Sequence, residues 1–330
     1  MKISAYHKAQ NDCVAFVKGL AEELPFSDYD IIYISTLFTF DASETIKTIN
    51  YYASHCNNAS INVGGIMATL MPETIKSETG IAPHIGLLKS VDDIAPDYGI
   101  AEGYAMNDFS FVFTSRGCPN RCSFCAVKML EPEPTINTNW KKHIHPKKPR
   151  IMIHDNNITA APMDHYQSVM FHLMRLGKEV TFDNGFDCRL FTEEHCKALA
   201  KINVGSVRFA FDTMAQDGLV QKSVALCLKH GISPSKIMVY VLYNYKDDLE
   251  EASYRAREIA CLGARPYAME YMPLTATSMR GYYHGAWTKD LCIDFARYIN
   301  HDRMVSVMGF EEWVSRRGSK KSSSSHTRKK

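Results

Sequence analysis

Short apolar runs rich in β-branched and aromatic residues alternate along the chain with longer amphipathic stretches. From position 109 onward the apolar runs are FSFVFTS, RIMIHDNNI, EVTFDNGFD, VGSVRFAFDT, KIMVYVLYNY and RPYAMEYMPL. Helical patterns separate the later runs, over residues 165–176, 193–202, 219–230 and 249–262. Strand–helix alternation predicts a mostly parallel α/β fold. Six such strands predict a partial (β/α)6 TIM-like barrel over residues 106–310, with its active site at the carboxyl ends of the strands.

A shorter unit precedes this series. Residues 29–40 contain the strand-like DIIYIST, a helical stretch runs to about 54, and SINVGGIMATLMPE follows with the glycine pair Gly64–Gly65. A strand–helix–strand unit ending in glycines is typical of an open Rossmann-like sheet. Residues 3–19 read as a helix with no strand before it. We therefore expect a truncated sheet over 1–105, either trimmed or with its native start upstream of Met1.

Two basic segments lack apolar periodicity. Residues 311–330 end in SRRGSKKSSSSHTRKK, and we expect a disordered tail there because such a sequence cannot bury enough apolar surface to fold. WKKHIHPKKPR, at 140–150, is basic with one aromatic residue. For each segment two interpretations stay open, a solvated segment and a contact with RNA.

The overall charge does not indicate a nucleic-acid partner. The 330 residues are 45% hydrophobic and carry a net charge of +2. No apolar signal segment follows Met1, and no run approaches the roughly 20 apolar residues that span a membrane. We expect a cytoplasmic protein with no membrane partner. In that reducing compartment, ten cysteines favour metal binding or catalysis over disulfides.

The most specific signal is TSRGCPNRCSFC, which places Cys118, Cys122 and Cys125 within eight residues. Three thiolates at this spacing can ligate three irons of a cluster and leave the fourth iron open. The alternative is zinc, with a fourth ligand from His143, His145 or His154. Zinc sites more often show paired C-x-x-C units, and this chain has one such pair.

The motif resembles that of the radical S-adenosylmethionine (SAM) superfamily, in which an aromatic residue, here Phe124, precedes the third cysteine. The resemblance covers about residues 106–310. It implies a 4Fe–4S cluster whose open iron binds the amino and carboxylate groups of SAM. An electron from a flavodoxin- or ferredoxin-type donor then cleaves the cofactor, and the 5′-deoxyadenosyl radical abstracts hydrogen from substrate. Phe124 is an expected cofactor contact.

The resemblance also assigns residues at the first two strand ends. Asp155, Asn156 and Asn157 stand where the superfamily carries a Gly-Gly-Glu-like segment that binds the cofactor's amino group. This sequence departs from that pattern, although its carboxylate and amide oxygens suit the same ammonium contact. A polar turn is the alternative.

Charged residues follow the next strands. Asp187 and Arg189 are two residues apart, so on a strand they face one side, and Arg189 can clamp a carboxylate. Arg208 and Asp212 are expected to share a face in the same way. Cofactor binding and internal salt bridges stay open for these four residues.

Two further residues complete the expected site. Tyr243 ends the fifth strand, where superfamily members often contact adenine. Cys188 is a candidate catalytic thiol, with a packing role as its alternative.

The segment 1–105 resembles the cobalamin-binding-like domain that precedes many such barrels. The glycine pair and Pro72–Glu73 carry the likeness. Cobalamin proteins of one large class supply a histidine from an Asp-x-His-x-x-Gly stretch, and NDCVAFVKG lacks it. We therefore expect a degenerate domain, and the missing histidine and strand disfavour bound cobalamin.

These features predict radical chemistry on a C–H bond: methylation, methylthiolation or rearrangement of an RNA, a peptide or a small molecule. In its local sequence, SRGCPNRCSFC resembles the tRNA methylthiotransferases most closely. Those proteins carry a second set of three cysteines, which Cys13 and Cys56 alone cannot form, so we do not assign that activity. The rival is a non-catalytic iron–sulfur or zinc protein acting as a redox sensor or nucleic-acid-binding module.

Overall fold

The computed structural model describes residues 1–21, 29–56, 58–103, 107–301 and 303–325, with side chains described through 317. The chain divides into two compact units. The first comprises residues 1–157 and 272–281, and the second comprises 158–271 and 282–330. This division falls after Asn157, whereas the sequence placed a boundary at 105/106. The strand over 109–112 therefore belongs to the same unit as the N-terminal sheet.

The first unit begins with helix α1, Lys2–Lys8. The helix was expected to reach residue 19, which was wrong. Asn11 adopts φ 67°, and the backbone N–H of Asn11 donates to Lys8 while that of Asp12 donates to His7. An asparagine in the left-handed conformation ends a helix when the backbone N–H groups there donate to carbonyl oxygens of the last turn.

A two-stranded parallel sheet follows, as the sequence predicted. Strands β1 (Ile31–Thr36) and β2 (Ser60–Gly65) pair in register from Ile31 opposite Ser60 to Thr36 opposite Gly65. The connecting helix α2 spans Ala42–His55. Three shorter helices complete the region: α3 Ile66–Leu70, α4 Pro72–Thr79 and α5 Lys89–Asp92. Their apolar sides enclose a small core containing Ile49, Val63, Met67 and Ile75, each at most 2% exposed.

Gly65 forms the tight exit from β2. Its φ is +107°, and a Cβ placed on it would lie 2.2 Å from the Thr36 carbonyl oxygen. Thr36 locks the same junction, because its hydroxyl donates to the Gly64 carbonyl at 3.0 Å and accepts from the Ala68 N–H at 2.9 Å. Only glycine fits this crossing of two backbones.

Gly65→Ala is expected to destabilise the protein by at least about 1–3 kcal/mol, because the new methyl group meets backbone that cannot move aside. Urea unfolding followed by circular dichroism measures the change. Gly80→Ala is the matched control: Gly80 also has positive φ, but a Cβ there meets nothing within 4 Å. Equal losses for the two variants would show that the contact with Thr36 carries no energy.

The rest of the first unit holds four short strands. These are β3 Phe109–Val112, β4 Ser115–Arg116, β5 Thr135–Ile136 and β6 Arg150–Ile153, with helix α6 at Val127–Leu130. β3 pairs with β6 in parallel, and β4 pairs with β5 in antiparallel.

The second unit repeats strand and helix. Its strands are β7 Glu179–Phe182, β8 Val204–Ala210, β9 Ile237–Tyr243 and β10 Arg265–Glu270. Its helices include α7 Met163–Leu176, α8 Glu193–Leu199, α9 Leu219–Lys229, α10 Leu249–Cys261 and α11 Lys289–Ala296. All six predicted strands and the four predicted helices are present.

The six strands form one sheet in the order β10-β9-β8-β7-β6-β3. Within the described ranges this sheet does not close into a barrel, so the fold is mixed α/β with a six-stranded, TIM-like sheet. Burial alternates along β9: Val239, Val241 and Tyr243 are buried, while Tyr240 and Leu242 are partly exposed. Residues of the buried set pack with α10 and α11 in one hydrophobic cluster.

A last helix, α12, spans Phe310–Ser325. The expectation of a disordered tail from residue 311 was wrong for this part. Phe310 and Trp313 are one helical turn apart and are 7% and 4% exposed. Both rings pack against Tyr298, so the apolar pair anchors the helix. Residues 326–330 lie outside the described residues. No helix in the described part of the chain is long and apolar enough to cross a membrane.

Candidate functional site

The two ends of the cysteine loop are held together by backbone contacts where β4 pairs with β5. We call this region the neck of the loop. Ser115 pairs with Ile136 and Arg116 pairs with Thr135, which brings the two ends of the loop together. Gly117 has φ +72°, and a Cβ there would lie 2.7 Å from the Glu133 carbonyl oxygen. The glycine of the RGC sequence is therefore required by the close approach of the two ends.

Glu131 ties the same two ends through its side chain. One carboxylate oxygen accepts from Arg116 at 2.9 Å and the other accepts from the Gly117 N–H at 3.0 Å. Side-chain exposure is 11% for Arg116 and 13% for Glu131, so the pair is largely shielded from solvent. The guanidinium of Arg116 also lies 3.4 Å from the ring centre of Phe113 and pairs with Asp92. A largely shielded network of ion pairs, together with the short pairing of β4 with β5, therefore holds the loop.

Asp155 braces the strand that leads into the loop. Its carboxylate is buried and accepts from the Thr114 N–H at 2.6 Å, the Thr114 hydroxyl at 2.5 Å and the Ser115 hydroxyl at 2.7 Å. Burial raises the pKa of this carboxyl, and the hydrogen bonds from Thr114 and Ser115 oppose that rise. This corrects the expectation of an open carboxylate at Asp155: its oxygens are already used within the fold.

The two asparagines reach the cysteine loop, and their expected contact with the cofactor's amino group stays a prediction. The Asn156 side-chain oxygen accepts from the Gly117 N–H at 2.9 Å. The Asn157 amide nitrogen lies 3.5 Å from Cys118 Sγ. The segment that follows β6 therefore supplies a hydrogen bond to the loop backbone and another to the first cysteine sulfur.

None of Cys118, Cys122 and Cys125 is in a disulfide, and all three are partly exposed. Phe124 is also partly exposed, between two of them. Across the described ranges, no three side chains of His, Cys, Asp or Glu are arranged to hold a metal ion. The donor set itself suits iron and sulfide, since three accessible thiols lie on one loop.

The zinc alternative gains nothing from the histidines. His143 is buried, with its Nε2 facing the Asp93 carbonyl oxygen at 3.4 Å. The ring of His145 packs edge-on against Tyr98, and that of His154 stacks on Phe111. Each ring thus has a packing role inside the first unit.

In the second unit, Asp187 and Arg189 bind each other. Arg189 Nε and Nη2 donate to the two carboxylate oxygens of Asp187 at 2.7 and 2.8 Å. Both residues lie in the loop after β7, so the expectation that a strand places them on one face was wrong. The internal ion pair, one of the two alternatives left open, is present, and cofactor binding by these residues stays a prediction.

Arg208 pairs with Asp183, whereas the sequence led us to expect Arg208 and Asp212 on one face of a strand. Its Nη1 donates to the Asp183 carboxylate at 2.5 Å and to the Asp183 carbonyl at 2.8 Å. Asp183 follows β7 directly, whereas Asp212 lies in a turn two residues beyond β8. The partner of Arg208 therefore comes from the end of the neighbouring parallel strand and not from its own strand.

Tyr243 faces the helices and is 1% exposed. Its ring packs on Trp287 and Phe295, and its hydroxyl donates to the Cys292 carbonyl at 3.1 Å. The expected adenine contact was therefore wrong. Strand alternation places the side chain in the core on the helix side of the sheet.

Cys188 lies beside Gln216, whose Nε2 is 3.8 Å from the sulfur. Burial, together with the charge of Asp187, raises the pKa of this thiol to about 11. It is 5% exposed and stays protonated at neutral pH. Its catalytic role stays a prediction.

Sequence reasoning missed Arg255, which is fully buried in α10. Its Nη1 donates to the carbonyl oxygens of Phe211 and Leu242, both at 2.7 Å, and its Nη2 pairs with Asp247. A signal was available: Arg255 stands among Ala252, Ala256 and Ile259 on the apolar side of a predicted helix.

Comparison with known proteins gives one informative result, a likeness of fold. No protein-family model and no curated protein matches the chain. A solved structure does match: the radical S-adenosylmethionine methyltransferase TsrM from Kitasatospora setae, with cobalamin and a [4Fe-4S] cluster bound. The TM-score is 0.59 at 13% identity, over 76% of this chain and 67% of TsrM. At this identity the likeness concerns the fold alone: the chain is similar in fold to that solved structure.

Proposed function

We propose that this chain is a radical SAM enzyme that holds a 4Fe–4S cluster on Cys118, Cys122 and Cys125. The observation that carries the proposal is a loop with three partly exposed thiols, closed at its neck and hydrogen-bonded by two asparagines of the segment that follows β6. The fold likeness to TsrM supports it. When bound, the cluster would supply an electron to SAM at its open iron.

The protein's own residues hold and shield that centre. Three thiolates are the protein ligands. The Asn157 amide beside Cys118 can donate to the ligating sulfur, and such bonds tune the potential of iron–sulfur centres. Glu131 and Gly117 keep the loop ends together, so fewer conformations are lost when the thiols converge.

Methylation is the reaction class that we propose to test first, because TsrM is a methyltransferase. Cobalamin is bound in TsrM. In the first unit here, a cavity of about 190 Å³ beyond the ends of β1 and β2 is lined by apolar residues such as Phe38, Phe40 and Ile66. No histidine lines it. This lining provides no cobalt ligand, and we assign no step to cobalamin.

Anaerobic reconstitution with iron and sulfide tests the proposal. The result expected is a brown protein with about four irons and four sulfides per chain. Dithionite or a flavodoxin-type donor with SAM should then release 5′-deoxyadenosine, or S-adenosylhomocysteine if the methyl group is transferred. Protein that takes up zinc alone, or a cluster that leaves SAM intact, would contradict it and favour a non-catalytic role.

Glu131→Gln is expected to make iron leave the reconstituted protein faster, by about 10-fold, because one of the two bonds that close the neck is lost. The rate of iron transfer to a chelator under anaerobic conditions measures this. Glu133→Gln is the matched control, since its side chain is exposed two residues away. Equal rates for the two variants would show that the neck does not hold the loop.

A further inference from the structure

An apolar pocket of about 190 Å³ opens beyond the ends of β1 and β2. Its walls come from the turn after β1, from α3, from residues 272–276 and from the cysteine loop. All of these segments belong to the first unit. Among the described residues that line the pocket, Thr39 alone has a polar side chain, and none is charged. The pocket therefore suits an uncharged, apolar group, because a charged group would lose its hydration without gaining a partner.

Two of the walls are fixed by the fold itself. The Thr36 hydroxyl donates to the Gly64 carbonyl and accepts from the Ala68 N–H, which joins the end of β1 to the start of α3. Ile66 and Leu70 are four residues apart on α3, so they lie on the same side of the helix, and both line the pocket. The pocket is therefore formed before a ligand arrives, as small-molecule sites usually are.

Large apolar side chains are exposed at the pocket. Leu37 is 53% exposed, Phe38 50% and Ile66 38%. The ring of Phe38 stacks on the ring of Phe40, with 4.8 Å between the ring centres and 11° between the planes. A stacked ring that is still half exposed can accept another aromatic ring, because paired rings attract each other beyond the area that they bury. Exposed apolar residues grouped in one place are typical of a binding site.

The volume indicates the size of the bound group. An engineered apolar cavity of about 150 Å³ binds benzene. At about 190 Å³, the pocket has room for one ring of that size with a short substituent. Because Leu37 and Phe38 leave the mouth exposed, polar parts of the same molecule can stay in water.

The pocket reaches the cysteine loop at Ala126. This residue lines the pocket and directly follows Cys125 in the sequence. Consecutive Cα atoms are about 3.8 Å apart, so a group bound against Ala126 lies close to the backbone of the third cysteine. A ring held in the pocket is therefore placed next to the loop on which the cluster is proposed.

We propose that the apolar pocket binds an aromatic ring of the substrate and holds it beside the cysteine loop, which places the substrate among aromatic small molecules. This inference rests on the proposed function and deepens it. Phe38 stacks on the ring, and Ile66 packs against it from α3. An aliphatic group of equal size gains the same apolar contact but no stacking, so Phe38 determines the specificity.

Binding of 4-fluorobenzyl alcohol to the full-length protein, followed by 19F NMR, tests the proposal. We expect saturable binding, which Phe38→Ala should weaken by about five- to ten-fold because stacking and apolar contact are lost. Phe171→Ala is the matched control. Phe171 is 58% exposed on α7 and does not line the pocket, so its replacement should change the affinity by less than about two-fold. Equal weakening in the two variants, or no saturable binding to the parent, would overturn the proposal.

Ala276→Phe tests the pocket in the opposite direction, by filling it. Ala276 is partly exposed and lines the pocket, so a ring added there takes up the space of the ligand. Probe binding should be lost, while the circular dichroism spectrum stays that of the parent. Unchanged binding in this variant would show that the probe sits elsewhere and would overturn the proposal.

Competition with unlabelled alcohols tests the preference for an aromatic ring. Benzyl alcohol should displace the probe at least about two-fold better than cyclohexylmethanol, which has a ring of the same size without π electrons. Equal displacement would assign the pocket to aliphatic groups and overturn the aromatic assignment.

The reduced cluster tests the position of the ring. Reduction makes a 4Fe–4S cluster paramagnetic, so the 19F relaxation of the bound probe should be faster in reduced than in oxidised reconstituted protein. Protein that carries the cluster and binds the probe without this difference would overturn the placement beside the loop. Protein that binds the probe but gains no cluster would contradict the proposed function and leave the ring site standing, so the two failures are distinguishable.

Cobalamin is the other ligand to test, because TsrM binds it. Excess hydroxocobalamin should leave the probe in place. Displacement of the probe would assign the pocket to cobalamin and overturn the substrate assignment.

Discussion

Cys122→Ser is expected to lose the brown chromophore and all SAM cleavage after anaerobic reconstitution. Cys122 is the middle of three thiols on one closed loop, and a serine hydroxyl is a poor ligand for iron in a cluster. Two thiolates from the chain cannot hold a cluster while leaving a corner for SAM. Iron content, visible absorption and product release measure the change. Cys118→Ser and Cys125→Ser should behave in the same way.

Cys261→Ser is the control for general damage by cysteine replacement. Cys261 is an exposed free thiol at the end of α10, so its loss should leave iron content and cleavage unchanged. A Cys122→Ser protein that retains cleavage would contradict our assignment of the ligands.

Arg255→Met is expected to destabilise the protein by about 3–5 kcal/mol. The substitution leaves Asp247 buried without its partner and removes the donor to the carbonyls of Phe211 and Leu242. Methionine fills a similar volume, so the loss reports the polar network and not a cavity. Urea unfolding gives the free energy of unfolding.

Arg257→Met provides the comparison on the same helix. Arg257 is exposed, two residues from Arg255, and its replacement should change stability by less than about 0.5 kcal/mol. Adding Asp247→Asn to Arg255→Met should recover part of the loss, because the buried charge is removed. A loss for Arg255→Met no greater than for Arg257→Met would show that the network carries no net stability.

The sequence predicted the order of strands and helices because hydrophobic periodicity is a local property. That inference needs only the spacing of apolar residues within each element. The contacts of Asn156 and Asn157 with the cysteine loop were not predicted, because they depend on how two separate loops come together.

Side-chain pairing between neighbouring strands was harder to predict from the sequence. Arg208 and Asp212 were expected to share one face of a strand, yet the pairing of β7 with β8 brings Asp183 to Arg208. Tyr243 was placed on the ligand side, although the alternation Val239, Val241, Tyr243 already put it with the core. The alternation of buried residues therefore indicated a core position for Tyr243. The prediction relied instead on its place at the end of the strand.

The tail shows a different limit. Its last residues are too polar to fold alone, but Trp313 and Phe310 bury against Tyr298 and carry α12 beyond the predicted end of order. A composition average over 311–330 hides one well-placed aromatic residue.

The most direct test of the central claim is electron–nuclear double resonance on the reduced, reconstituted protein with SAM labelled by 15N at its amino group. Three cysteine ligands leave one iron corner vacant, so a hyperfine coupling from the bound nitrogen is the result that we predict. A spectrum identical with labelled and unlabelled SAM, from a cluster with every iron ligated by the protein, would contradict it.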